Sequence, residues 1–143
     1  MNADETADKV ARAMLSMEGT GPSWGLEIEE AREGYARVRM RVRRDMLNGH
    51  GIGHGGMIFA LADSAFAYAC NSRDQKSVAA QASIVFLDAV REGEMLIGEA
   101  REQALAGRSG VYTVAVRTQD GRAIAEFQGL SRTIGGAVIG DQT

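Results

Sequence analysis

Residues 55 to 72, GGMIFALADSAFAYACNS, form a long apolar stretch with a single charged side chain, Asp63. The stretch predicts a helix that is apolar on all sides and has no polar face to give to water. Segments with strand periodicity lie before and after it in the chain. A lone apolar helix among antiparallel strands must be covered by the sheet that it interrupts. The sequence therefore predicts an α+β fold in which a curved antiparallel sheet wraps around one long central helix.

The segments on either side of this helix have the periodicities of one shorter helix and several strands. Residues 3–18 place apolar side chains at helical spacing, which predicts a short N-terminal helix within residues 1–20. Alternation of apolar and polar residues predicts a first hairpin with arginines on its solvent face. Residues 135–143 resemble a flexible tail. The expected strands are at about residues 24–29, 37–43, 77–88, 94–105, 110–119 and 122–133.

Length and composition limit the classes of protein to be considered. The 143 residues suit a single domain, 1–143. The net charge is −3 and charges of both signs are interspersed, so no nucleic-acid platform is expected. No apolar run is long enough to predict a membrane span. One cysteine, Cys70, excludes an internal disulfide and is typical of a reducing compartment, so we expect a soluble cytoplasmic protein.

Asp63 is the first candidate for a functional residue. Its neighbours three and four positions away on the helix include Phe59, Ala60 and Phe66, and none of them is a counter-ion. An unpaired buried carboxylate is costly or has a raised pKa, and such groups concentrate at functional sites. The glycine-rich loop at positions 48–56 lies just upstream and opens the same helix, where its backbone can approach a ligand closely.

Two other interpretations of this loop are weak. Gly51, Gly53 and Gly56 satisfy the dinucleotide-binding pattern, but that fold needs repeated strand and helix units, which this chain lacks. His50 and His54 have no third metal ligand beside them. We therefore expect neither a metal nor a bound cofactor.

The length of the helix restricts how the loop and Asp63 can cooperate. Free N–H groups at a helix start can stabilise the oxyanion of a polarised carbonyl. Asp63 follows Gly55 by eight residues, which corresponds to about 12 Å along the axis. A base or nucleophile must come within roughly 3 Å of its target. Two antiparallel copies solve this problem, so the sequence predicts a homodimer with two shared sites and an inactive monomer.

The stretch NGHGIGHGGMIFALADSAFAYACN, positions 48–71, resembles the hotdog-fold acyl-CoA thioesterases, and more narrowly those of phenylacetic acid degradation. Asn48, His54 and Asp63 reproduce the family's spacings of six and nine residues. The resemblance implies that the Gly55 N–H polarises the thioester carbonyl and that Asp63 of the partner subunit activates water or attacks directly. It further implies that Asn48 positions water or substrate, that His54 orients the loop, and that Gly56 contributes to substrate binding.

Later positions are also assigned by this resemblance. Ser83 corresponds to a small hydroxyl residue near the catalytic carboxylate. Arg108 and Ser109 lie in a turn where contacts with coenzyme A are expected, although Arg108 is equally explained as an exposed turn residue. The chain departs from the family where Asp88 and Ala89 replace an Arg-Pro pair, which removes a phosphate contact expected there.

The resulting prediction is an acyl-CoA thioesterase that hydrolyses aryl-acetyl-CoA esters, such as phenylacetyl-CoA or hydroxyphenylacetyl-CoA, to the free acid and coenzyme A. Coenzyme A is then part of the substrate, and dimers are expected to pair into a homotetramer. One alternative is a hotdog enoyl-CoA hydratase, but the chain lacks an Asp-x-Asn-Pro-x-His segment. Another is a non-catalytic acyl-CoA sensor, which needs an attached DNA-binding domain and leaves Asp63 unexplained.

Overall fold

A six-stranded sheet surrounds the apolar helix in the computed structural model, which describes residues 1–141. Neighbouring strands are antiparallel and follow the order β1-β2-β4-β5-β6-β3. The central helix α3, Gly55–Cys70, contacts every strand of the sheet. The predicted α+β architecture is thus confirmed. The strands are β1 Glu27–Arg32, β2 Tyr35–Arg41, β3 Ser77–Phe86, β4 Met95–Ala106, β5 Ser109–Thr118 and β6 Ala123–Thr133.

The N-terminal helix α1, Ala3–Met17, forms where it was predicted. The side chain of Asn2 caps it by accepting a hydrogen bond from the Glu5 N–H. A second helix of one turn, α2, Thr20–Ser23, was not predicted. The N–H of Trp24 donates to the carbonyl of Thr20 and so closes this turn. The prediction that β1 begins at Trp24 is therefore wrong by three residues.

The helix α3 is held close to the sheet by an aromatic contact. Phe66 is fully buried and packs against the rings of Tyr112 and Phe127. Gly129 on β6 faces the same ring, and a Cβ at this position would lie 2.8 Å from its Cζ atom. Only glycine leaves enough room there, because real Cβ contacts do not approach so closely. The spacing between α3 and β6 thus depends on Gly129.

The row of arginines on β2 lies on a solvated face, as predicted. Arg37 pairs with Glu30 at 3.1 Å and Arg39 pairs with Glu27 at 3.1 Å, both across the β1–β2 hairpin. Partly exposed ion pairs of this kind contribute little stability, typically about 0–1 kcal/mol. Arg37 and Arg39 already have carboxylate partners, and Arg41 donates a hydrogen bond to the carbonyl of Gly93 at 2.8 Å, so this face is not an open anion-binding surface.

The strand β3 forms one edge of the sheet. It pairs with β6 on one side, and no described strand pairs with its other side. Val78, Val85 and Phe86 on this strand are between 47% and 61% exposed. A register shift between Ala79 and Gln81 inserts one extra residue into β3. An unpaired edge with exposed apolar side chains can pair with another chain.

Part of the C-terminal segment is held by Asp74. The carboxylate of Asp74 accepts hydrogen bonds from the backbone N–H groups of Val138, Ile139 and Gly140 at 2.8–3.0 Å. The predicted flexible tail, residues 135–143, includes two residues outside the described part of the chain and stays a prediction. No helix within residues 1–141 is long and apolar enough to cross a membrane.

We expect Gly129→Ala to lower the free energy of unfolding by about 1–3 kcal/mol, because the new Cβ must displace the buried Phe66 ring. Urea denaturation followed by circular dichroism would measure the change. Gly19→Ala is the matched control, since a Cβ at Gly19 meets nothing within 4 Å. Equal stability of the two variants would contradict this account of the helix–sheet spacing.

Candidate active site

The glycine-rich loop is folded by the side chain of Asn48. Its Oδ1 atom accepts hydrogen bonds from the N–H of His50 at 2.9 Å and of Ile52 at 3.3 Å. Gly51 has a φ of +77°, which L side chains rarely adopt, so a glycine is needed at the tip of this loop. The Nδ2 group of Asn48 has no hydrogen-bond acceptor among the described residues and keeps its donors for a ligand.

His54 is the N-cap of α3. Its Nδ1 atom accepts a hydrogen bond from the Gly56 N–H at 2.8 Å, so this nitrogen carries no proton in the cap. A Cβ at Gly56 would lie 3.0 Å from the same Nδ1 atom. Gly56 therefore has a role in the cap, and its N–H is already used there. The Gly56 N–H is therefore not free to bind a substrate in this cap, and a substrate contact of Gly56 stays a prediction.

The N–H of Gly55 differs from that of Gly56. Gly55 is the first residue of α3, and its N–H meets no acceptor in the described part of the chain. The start of a helix carries a partial positive charge, which favours a developing oxyanion. Gly55 borders a groove of about 420 Å³. The other groove-lining side chains include Asn48, Ile52, Ile58, Phe86, Leu87 and Asp88.

Asp63 lies in a separate cavity of about 170 Å³ between α1, α3 and β3. Within residues 1–141 its carboxylate has neither a hydrogen bond nor an ion pair. Burial raises the pKa of the Asp63 carboxyl, and no cation lies close enough to oppose this effect. Burial and the nearby Asp63 charge raise the pKa of the Cys70 thiol to about 12, so Cys70 is an unreactive packed side chain.

One chain does not bring Gly55 and Asp63 together. The groove at Gly55 and the cavity at Asp63 have no lining residue in common. The two cavities lie at opposite ends of β3, because Phe86 borders the groove and Ser77 borders the cavity. The oxyanion donor and the carboxylate of a single chain are thus too far apart to act on one carbonyl.

The structure does not bring Ser83 to Asp63 within a chain. Ser83 is exposed on the outer face of the sheet, where it borders a shallow groove with Thr113 and Gln128. The reason is the extra residue in β3, which reverses the alternation of inward and outward side chains after Ala79. Strict alternation from Ser77 would have turned Ser83 inward. Ser83 and Asp63 therefore do not meet within a single chain, and the predicted role of Ser83 near the catalytic carboxylate stays a prediction.

Arg108 and Ser109 border a small polar cavity of about 80 Å³. Cys70 and Ser77 line both this cavity and the one that contains Asp63, so the two are adjacent. Arg108 has no carboxylate partner among the described residues, and its carbonyl accepts a hydrogen bond from the Thr133 N–H at 2.8 Å. The turn is therefore fixed in place while its guanidinium remains available to an anion.

Two residues at these cavities were not identified from the sequence. Phe86 lies against the start of α3, and a Cβ at Gly55 would be 3.1 Å from its Cζ atom. Met14 of α1 borders the Asp63 cavity. A signal for Met14 exists in the apolar stripe of α1, which it continues by one turn. No group of three or more His, Cys, Asp or Glu side chains in residues 1–141 has the arrangement of a metal site.

Comparison with known proteins gives consistent matches. The family model described as Thioesterase superfamily matches residues 50–125, which include Gly55 and Asp63. The acyl-coenzyme A thioesterase PaaI of Escherichia coli is 39% identical over 131 residues, which are 92% of this chain and 94% of that protein.

Solved structures agree with this match. The structure of the E. coli PaaI protein from the phenylacetic acid degradation operon superposes with a TM-score of 0.93 at 38% identity, over 95% of this chain and 99% of that one. A hypothetical thioesterase from Streptococcus pneumoniae, solved with coenzyme A, has a TM-score of 0.75 at 27% identity, over 78% of this chain and 90% of that one.

We expect Asp63→Asn to be more stable than the native protein at pH 7, by about 1 kcal/mol, as is typical when a costly functional group is removed. Because burial raises the pKa of Asp63, the folded state favours its protonated form. The contribution of Asp63 to the stability of the native protein is therefore lost as the pH rises from the ordinary aspartate pKa through the folded-state pKa. The advantage of the variant should vanish below the ordinary pKa range of aspartate.

Urea denaturation between pH 3 and pH 8 would measure this difference. Glu92→Gln is the control, because Glu92 is exposed in a turn. A difference between Asp63→Asn and the native protein that does not change with pH would contradict the assigned cost of burial.

Proposed function

Because the chain belongs to the Thioesterase superfamily and is a thioester hydrolase of hotdog fold, we propose that it hydrolyses aryl-acetyl-CoA esters such as phenylacetyl-CoA or hydroxyphenylacetyl-CoA. The products are the free acid and coenzyme A. One observation carries the mechanism: within residues 1–141, α3 presents both an N–H at Gly55 without an acceptor and a carboxylate at Asp63 without a partner. The relative from the phenylacetic acid degradation operon supports the choice of acyl group. The single free cysteine favours a reaction in the cytoplasm.

The proposed reaction starts with the thioester carbonyl at the N-terminus of α3. Its oxygen accepts a hydrogen bond from the Gly55 N–H, which stabilises the negative charge of the tetrahedral intermediate. The Nδ2 group of Asn48 borders the same groove and can hold the attacking water or the substrate. His54 acts through the cap, because its hydrogen bond to Gly56 fixes the backbone that carries the Gly55 N–H.

Asp63 of the partner subunit completes the site in one of two ways. As a base, it takes a proton from water while the hydroxide attacks the carbonyl carbon, and the proton then passes to the departing thiolate of coenzyme A. As a nucleophile, it displaces the thiolate to form an anhydride, which water then hydrolyses. In both routes the raised pKa of Asp63 makes its carboxylate more reactive than an exposed one.

The strand β3 is the proposed contact between two copies. A two-fold axis at the middle of β3 would pair its open edge with the same edge of a second copy, antiparallel. This pairing would cover the exposed side chains of Val78 and Val85. The C-terminal end of β3 borders the Gly55 groove, and the N-terminal end of β3 borders the Asp63 cavity. Antiparallel pairing would therefore bring the Gly55 groove of one subunit next to the Asp63 cavity of the other. The further pairing of dimers into a homotetramer stays a prediction.

The nucleotide part of coenzyme A is proposed to lie at the Arg108–Ser109 turn. This turn borders a cavity adjacent to that of Asp63, so the subunit that supplies the carboxylate also supplies the cation. A guanidinium without a carboxylate partner suits the phosphates of coenzyme A. The subunit that supplies Asp63 and Arg108 would thus bind the nucleotide. The pantetheine arm would lie along the groove of about 420 Å³ at Gly55 of the partner subunit.

Release of free thiol from a panel of acyl-CoA esters tests this function. We expect the native protein to hydrolyse phenylacetyl-CoA and hydroxyphenylacetyl-CoA faster than benzoyl-CoA or short aliphatic esters. Asp63→Asn should lower kcat by about 10²-fold or more, since it removes the base or nucleophile. Glu92→Gln should retain native rates. Absence of thiol release from every ester, with binding of coenzyme A retained, would favour the acyl-CoA sensor.

Mixing two inactive variants tests whether sites are shared. Gly55→Pro removes the N–H donor, and proline is tolerated at the first position of a helix. The extended backbone of His54 suits a following proline. We expect Gly55→Pro to lose about 10²–10³ in kcat. Gly55→Ala is the matched control, because it has a similar contact with Phe86 and keeps the N–H.

When Gly55→Pro and Asp63→Asn are unfolded together and refolded, half of the dimers should contain one chain of each. Every mixed dimer would have one intact site, so about one quarter of native activity should return. Activity that stays at the level of the separate variants would show that each site is built from a single chain.

A further inference from the structure

The N-terminal helix supplies one wall of the Asp63 cavity. Ala7, Val10 and Ala11 are fully buried and fix one face of α1 against the rest of the protein. Met14 continues this apolar stripe by one helical turn and borders the cavity together with Asp63. The position of the Met14 side chain is thus determined by a helix that is firmly packed.

The remaining surface of this cavity is almost entirely apolar. Phe66 and Ala67 of α3 and Val78 and Ala79 of β3 form the other walls. Asn71 also borders the cavity, but its amide is bonded to the backbone of Ser77 through both Nδ2 and Oδ1, at 3.1 and 2.9 Å. Among the described residues that line this cavity, the carboxylate of Asp63 is therefore a polar group without a partner.

The size of the cavity suits a single aromatic ring. Its volume is about 170 Å³. An apolar protein cavity of about 150 Å³ is known to bind benzene. The thioether of methionine also makes favourable contacts with aromatic rings.

We propose that this cavity holds the aryl ring of the acyl group and that Met14 determines acyl specificity. The inference rests on the proposed thioesterase function and adds where the ring binds. Asp63 at the cavity then lies beside the carbonyl, because one methylene separates the carbonyl from the ring in an aryl-acetyl ester. The Thioesterase superfamily model matches residues 50–125, so α1 lies outside that model. Specificity for the ring is thus supplied by a helix outside the family model, although the E. coli PaaI structure covers 95% of this chain.

Two substitutions of opposite size at Met14 test this inference. Met14→Trp fills the cavity and should lower kcat/KM for phenylacetyl-CoA by about tenfold or more, while acetyl-CoA changes less than about twofold. Met14→Ala enlarges the cavity and should raise the ratio of kcat/KM for naphthylacetyl-CoA over phenylacetyl-CoA by about tenfold. Met17→Ala is the matched control, because Met17 belongs to the same helix and is 68% exposed.

The melting temperature of each variant separates packing from specificity. A purely structural role of Met14 would change kcat/KM for all esters by one common factor, and that result would overturn the inference. Ratios of kcat/KM between the esters that equal those of the native protein in both Met14 variants would also overturn the inference. Failure of the native protein to release thiol from any ester would instead refute the proposed function, so the two failures are distinguishable.

Discussion

Enclosure of α3 by the sheet is the constraint on which the rest of the structure depends. Because this helix has no polar face, every strand contributes to its cover, and Gly129 sets how closely it approaches. Two consequences follow from the same burial. The helix starts in a loop at the edge of the core, where the Gly55 N–H has no acceptor among the described residues. The one carboxylate of the helix, Asp63, is desolvated, and its pKa is raised. Burial of the apolar helix thus accounts for the position of the Gly55 N–H and for the desolvation of the Asp63 carboxylate.

The same geometry keeps these groups apart within a chain. A rigid helix separates Gly55 from Asp63, and β3 runs between their cavities from Ser77 to Phe86. This strand is also the open edge of the sheet, with apolar side chains exposed to solvent. Antiparallel association along this edge would resolve the separation without any movement of the helix. The strand β3 thus forms the open edge available for dimer assembly and also separates the Gly55 N–H from the Asp63 carboxylate.

The sequence predicts most of the fold and indicates the candidate site at Asp63 and the glycine-rich loop, because these signals are local. The apolar helix, its lone charge at Asp63 and the glycines before it are visible without tertiary information. The orientation of Ser83 is not predictable in this way, since it depends on a bulge in β3 that an alternating pattern conceals. The position of Met14 at the Asp63 cavity is also not predictable, because its helical stripe indicates burial but not which cavity it borders. The use of the Gly56 N–H in the cap with His54 is likewise not visible in the sequence, because it depends on a side-chain rotamer.

The position of α1 has an evolutionary consequence. Substitutions in β3 that reshape a cavity also alter the edge that would pair with a second copy, so they are constrained twice. The loop and α3 carry the groups proposed for catalysis, so the proposed chemistry constrains them. Met14 lies on neither the edge strand nor the catalytic helix, although it borders the cavity of Asp63. With the proposed site and dimer, substitutions in the N-terminal helix would alter the choice of acyl group without touching either the edge strand or the groups proposed for catalysis.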